Sequence, residues 1–189
     1  LAGVPLRVAP ATKLAQIFYN KTIKQKRSRS ERPEHVYNTE LADFAVTVAT
    51  GQSSSPENPP YLEIDENIKT AKRQQFMSDF GINSRSRLVF IHPGSGGSAP
   101  ALNVRQFAAL IDFLSVRQDW FFVITAGPGE LMLAEQVAKE VQSKNKIVYE
   151  SKSGLPDFVE FLSMADLFFS GSTGVLHIAG ALDVPTVAF

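Results

Sequence analysis

The 189-residue chain balances 19 Lys and Arg against 19 Asp and Glu, and 44% of it is hydrophobic. That suffices for one buried core, or one domain plus part of another, and net neutrality argues against bulk nucleic-acid binding. The absence of cysteine and the wide separation of three histidines exclude disulfides and give no metal-ligand spacing, so no metal or other cofactor is expected. No apolar run is long enough to span a bilayer, and the N-terminus does not read as a signal peptide. A soluble protein is expected.

Val4 to Val8 reads as a short strand, and Leu14, Ile17 and Phe18 give helical spacing across Ala11 to Tyr19. KTIKQKRSRSERPEH follows, with Lys21, Lys24, Lys26, Arg27, Arg29 and Arg32 among Ser, Gln and Thr and only Ile23 apolar. Unable to bury a face, it is expected to be solvated and mobile, either a plain charged loop or a landing strip for an anionic glycolipid. The spacing then predicts a helix over Glu34 to Thr50. GQSSSPENPP, residues 51–60, carries three serines and three prolines and reads as a linker. Residues 1–50 would be the end of one domain, and residues 61–189 a second.

A helix is predicted over Ile68 to Phe80, closed by Gly81. Regular alternation follows: strand Leu88 to His92, helix Val104 to Val116, strand Trp120 to Thr125, helix Glu130 to Val141, strand Lys146 to Tyr149 and helix Leu155 to Met164. Then come strand Leu167 to Phe169, a turn at residues 170–174, helix Val175 to Leu182 and strand Val184 to Phe189. This order predicts an α/β, Rossmann-like parallel sheet with helices on both faces and ligands at the carboxyl ends of its strands. The missing initial Met and the stop at Phe189 inside an apparent strand suggest a piece of a longer protein, with the sheet truncated.

Four loops gather at that edge, residues 93–98, 126–130, 151–155 and 171–177. Ser170 to Gly174 leads directly into a helix, whose free N–H groups and dipole suit a phosphate, with His177 one turn further on. HPGSGGSAP supplies Gly94, Gly96 and Gly97 for close backbone approach and Ser95 and Ser98 as hydroxyls. Residues 94–99 fit G-x-G-x-x-A. Pro100 and Asn103 delay the helix, however, and the second strand ends without an acidic residue for a ribose, so the dinucleotide fingerprint is weak. In AGPGE, Glu130 starts a helix, where a carboxylate gains a few tenths of a kcal/mol from the dipole whatever its function. His92, at a strand end, reads as structural.

GSTGVLHIAGALDVPTVAF and HPGSGGSAPALNVRQFAALI resemble the corresponding segments of the ADP-heptose:lipopolysaccharide heptosyltransferases, and the resemblance extends over essentially the whole chain. It implies a GT-B glycosyltransferase, with this chain carrying the donor domain and the end of the acceptor domain. It further implies that Ser95, Gly96, Gly97, Ser98, Ser172, Thr173, Gly174 and His177 face the donor diphosphate, His177 as a possible leaving-group stabiliser. By the same resemblance Glu130 holds the ribose, and Ser153 and Leu155 lie at the adenine. Lys21, Lys24, Lys26, Arg27 and Arg29 would face the acidic sugars of the lipopolysaccharide core at the membrane surface. The chain departs from the family at Ser172, where many members have Asp, and at Pro100-Ala101-Leu102, where most have a Lys or Arg followed by Trp; Arg105 is the remaining nearby cation.

The implied reaction moves a heptose from ADP-heptose with inversion, needs no metal, and belongs at the cytoplasmic face of the inner membrane. Its catalytic base is expected outside these residues, leaving the isolated chain inactive. Three rivals stay open: a GT-B transferase or epimerase using another nucleotide sugar, an NAD-dependent oxidoreductase, and a non-catalytic module for anionic glycolipid.

Overall fold

A computed structural model describes residues 3–11, 14–29, 31–32, 34–53, 58–94, 102–117 and 119–189. The chain divides into two compact units, Leu1–Asn58 and Pro59–Phe189.

In the first unit, β1 (Val8–Pro10) pairs in parallel with β2 (Lys21–Ile23), Val8 opposite Lys21. The strand expected at Val4 to Val8 lies further along because the preceding backbone is held by side chains: Asn20 accepts from the Arg7 N–H and donates to the Pro5 carbonyl. The helix expected over Ala11 to Tyr19 is a 3-10 turn, Leu14–Phe18. The basic stretch is more ordered than its composition predicts, since Lys21–Ile23 forms β2 and Arg27–Arg29 a further 3-10 turn. Its anchor is Gln25, buried beneath α1 (Glu34–Thr50), whose amide donates to the Tyr37 carbonyl at 2.7 Å and to Glu40 at 3.2 Å. A ladder and polar partners on a neighbouring helix order a segment that has almost no apolar residues to bury.

In the second unit, α2 (Glu66–Asp79) is followed by β3 (Arg87–His92), α3 (Val104–Leu114), β4 (Trp120–Ala126), α4 (Leu131–Glu140) and β5 (Lys146–Glu150). Then come α5 (Leu155–Ser163), β6 (Leu167–Ser170), α6 (Gly174–Ala181) and β7 (Thr186–Ala188). All five strands are parallel, in the order β5-β4-β3-β6-β7. Alternate residues of β3 divide the core. Leu88 and Phe90 pack with Phe76, Phe158, Phe161 and Phe168 beneath α2, α5 and α6, whereas Val89 and Ile91 pack with Phe107, Ile111, Val137 and Phe169 beneath α3 and α4.

Local chemistry sets the helix starts. Asp65 accepts from the Asn67 and Ile68 N–H groups, so α2 begins earlier than its apolar spacing suggests. At α3 a capping box closes, with Asn103 accepting from the Gln106 N–H and Gln106 accepting from the Asn103 N–H. Gly81 turns the chain after α2 with φ +61°.

Because β4 leaves β3 on one side and β6 joins it on the other, the crossovers diverge between β3 and β6. His92 lies opposite Ser170 in that register, so these two strand ends flank the crevice.

Candidate functional site

Residues from four elements converge at this point. A crevice of ≈ 450 Å³ is lined by His92 and Gly94 after β3, Gly127, Pro128 and Glu130 after β4, Leu155 of α5, and Thr173, Gly174, Val175 and Ile178 around the start of α6. A more enclosed, largely apolar recess of ≈ 290 Å³ adjoins it, sharing His92, Gly127, Pro128, Leu155 and Val175 and adding Ala126, Ser151, Gly154 and Phe158.

Glu130 does more than start a helix. It occupies the N-cap position of α4 but forms no side-chain capping bond there; instead its Oε2 accepts the Gly127 N–H at 3.1 Å and lies 3.3 Å from His92 Nε2. A Cβ at residue 94 would stand 2.2 Å from the carboxylate, so Gly94 makes room for Glu130. Behind it, His92 Nδ1 lies 3.0 Å from the Thr125 hydroxyl, which is 3.3 Å from the Ile91 carbonyl. Burial pushes the His92 imidazole below its ordinary pKa, against the opposing influence of Glu130 and Thr125. Residue type and position showed His92 at a strand end; its partnership with Glu130, 38 positions along the chain, arises only from the parallel pairing of β3 with β4.

At the start of α6, Thr173 has extended backbone and leaves the helix without a side-chain cap. Its hydroxyl lies 3.2 Å from that of Ser170, and both residues are buried. Thr173 and the uncapped start of α6 therefore form one wall of the crevice, and the N–H groups of a helix start suit an anion. Leu155, 60% exposed at the mouth of the apolar recess, offers a surface on which a planar ring could rest.

The candidates for the donor site separate into three groups. Glu130, Leu155, Thr173 and Gly174 line the crevice. Ser153, Ser172, His177 and Arg105 are exposed and absent from its lining. Ser95, Gly96, Gly97 and Ser98 lie outside the described residues. In the first unit Lys21, Lys24, Lys26 and Arg29 are exposed. Arg27 differs: its guanidinium bonds to Gln25 and Glu34 and sits 5.6 Å from the Tyr37 ring centre, so it joins the 3-10 turn to α1. No group of His, Asp and Glu among the described residues could hold a metal ion.

Among solved structures, the fold resembles a glycosyl transferase family 9 protein from Veillonella parvula, with TM-score 0.66, 21% identity, and coverage of 98% of this chain and 51% of that one. It is also similar to the E. coli ADP-heptose lps heptosyltransferase II, with TM-score 0.64, 18% identity, and coverage of 99% and 56%. The E. coli heptosyltransferase WaaC with ADP matches at TM-score 0.54 and 20% identity over 93% of this chain and 50% of its own. In sequence, a Haemophilus influenzae protein named "Putative glycosyltransferase" is 39% identical over 188 residues, which is 100% of this chain and 54% of the relative. The chain thus spans about half the length of these relatives. The family model described as glycosyltransferase family 9 (heptosyltransferase) matches residues 5–189, so with its parallel sheet and edge crevice the chain belongs to that family.

Proposed function

We propose that the chain forms the donor-binding side of an inverting glycosyltransferase that moves a heptose from ADP-heptose to the lipopolysaccharide inner core. The observation that carries this reading is the shared crevice: Glu130 and the uncapped Thr173-Gly174 helix start lie on its walls, beside an apolar recess. A diphosphate suits the helix start, a ribose hydroxyl suits the carboxylate, and a purine suits Leu155 and the recess. Departure of the sugar leaves negative charge on the diphosphate, which the helix N–H groups and Thr173 would stabilise. Two E. coli relatives whose names include ADP-heptose and ADP support this choice of donor over UDP-sugars and NAD.

Inversion in one displacement also needs a carboxylate that takes the proton of the acceptor hydroxyl. Glu130 is the one carboxylate among the described lining residues, and it is engaged with Gly127 and His92. The isolated 189 residues accordingly bind nucleotide without transferring sugar. The exposed Lys21, Lys24, Lys26 and Arg29 would face the acidic acceptor at the cytoplasmic surface of the inner membrane.

Calorimetric titration with ADP, ADP-heptose, UDP and NAD tests the assignment. ADP and ADP-heptose should bind most tightly, and chelation by EDTA should leave their affinities unchanged; preference for UDP or NAD would redirect the assignment.

A further inference from the structure

The geometry points to His92 as the positioning residue that holds the Glu130 carboxylate ready for a donor hydroxyl, an inference that rests on the nucleotide reading above. The carboxylate is held on one side. Its Oε2 takes the Gly127 N–H and faces His92 Nε2, whereas Oε1 has no hydrogen bond or ion pair among the described residues. Oε1 therefore remains available to a ligand.

His92 lines the crevice but is only 3% exposed, so it acts as a buried part of the wall more than as a group open to solvent. Facing a carboxylate favours the tautomer with the proton on Nε2, and Nδ1 then accepts the Thr125 hydroxyl. If the ring takes up a second proton, Nδ1 donates to Thr125 and the hydroxyl turns to the Ile91 carbonyl. In both states Nε2 stays the polar atom nearest Glu130, 3.3 Å from Oε2, so the ring favours the same carboxylate position. Gly94 completes the arrangement by leaving the carboxylate its space. This is the arrangement expected of a positioning residue: a buried group that fixes a ligand-contacting one through a single polar contact.

Titration calorimetry of the 189-residue chain with ADP and 2′,3′-dideoxy-ADP separates positioning from folding. The unaltered chain should favour ADP by roughly tenfold, the loss expected when a hydroxyl can no longer reach a carboxylate. His92→Leu should remove most of that preference by weakening ADP much more than dideoxy-ADP, and His92→Gln, whose amide can still donate to Glu130, should restore it. In a Glu130→Ala background, His92→Leu should have no further effect. If His92→Leu does not fold, Thr125→Val, which keeps the volume and removes only the hydroxyl, should lower ADP affinity alone by about threefold. Equal weakening of both nucleotides, or a preference for ADP that is undiminished in His92→Leu, or undiminished in Thr125→Val where the leucine variant is unfolded, would overturn the role of His92 while leaving the donor assignment intact. Equal affinity of the unaltered chain for the two nucleotides would overturn the ribose contact itself, and this inference with it.

Discussion

At Gly94 a methyl group would lie 2.2 Å from the Glu130 carboxylate, so the carboxylate keeps its contacts with Gly127 and His92 only if residue 94 has no side chain. Gly94→Ala should weaken ADP binding about tenfold in calorimetry. Its unfolding free energy should fall by only about 1–3 kcal/mol, the usual cost of local overpacking. Unchanged ADP affinity would mean that the carboxylate has another resting place. His92 carries a second prediction. Its folded pKa is lowered chiefly by burial, so between the ordinary histidine value near 6.5 and that lower value the unfolded chain binds the proton more readily. Stability contributed by neutral His92 is complete above about pH 6.5 and is lost as pH falls through this window, with a slope of up to about 1.4 kcal/mol per pH unit. Urea midpoints at pH 7.5 and 5.5 should therefore diverge more in the native chain than in His92→Gln; an equal divergence would assign the acid sensitivity to other groups.

Among the elements, α2 illustrates how polar contacts fix a helix on a sheet. Lys72 meets Asp157 and Glu160 at 2.7 Å each. Burial acts to lower the Lys72 pKa, but its bonds and charges from Asp157 and Glu160 prevail and raise it. One residue along, Arg73 bonds to Asp166 at 2.7 Å and to the Met164 and Ser86 carbonyls. The same Asp166 oxygen accepts the N–H of Leu88 at 2.7 Å, so one carboxylate joins α2 to the edges of β3 and β6. Asp166→Ala should cost about 2–4 kcal/mol in urea unfolding, because it strands an arginine and a backbone donor together. Asp166→Asn, which retains an acceptor for Leu88, should cost less. A loss below about 0.5 kcal/mol for the alanine variant would show that water replaces both bonds. Packing adds to these polar contacts: Phe161 stacks on Tyr149 at 3.7 Å and lies within 5.1 Å of Phe76 and 4.9 Å of Phe90, bringing α5, β5, α2 and β3 into one aromatic cluster.

For the whole molecule, the charge balance conceals an uneven surface. Lys21, Lys24, Lys26 and Arg29 are exposed in the first unit, while Arg27 among them is turned inward to Gln25, Glu34 and Tyr37. Replacing Lys21, Lys24 and Lys26 by Glu should abolish salt-sensitive binding of the chain to vesicles containing acidic phospholipid, used as a probe of the anionic surface, without lowering the thermal midpoint. Arg27→Ala should instead lower the midpoint. Retained vesicle binding by the triple variant would remove these lysines from the acceptor reading.

Much of the fold was legible because strands and helices announce themselves locally. Val89 and Ile91 alternate with Leu88 and Phe90, the α3 cap lies in Asn103 and Gln106, and the turn into α6 lies in Ser170 to Gly174. The order of the basic stretch is not legible in composition, because it comes from Gln25 reaching α1, a partner that residue composition does not specify. Spacing places His177 as near the crevice as Thr173, yet the histidine is exposed and outside the described lining, whereas Thr173 is buried in it. The sequence by itself determined the family and, in the second unit, the order of elements and the parallel architecture, since these follow from periodicity, caps and motif residues within short windows. Only the tertiary structure decided that His92, Gly94, Gly127 and Glu130 act as one group, because strand order brings together side chains that are separate along the chain.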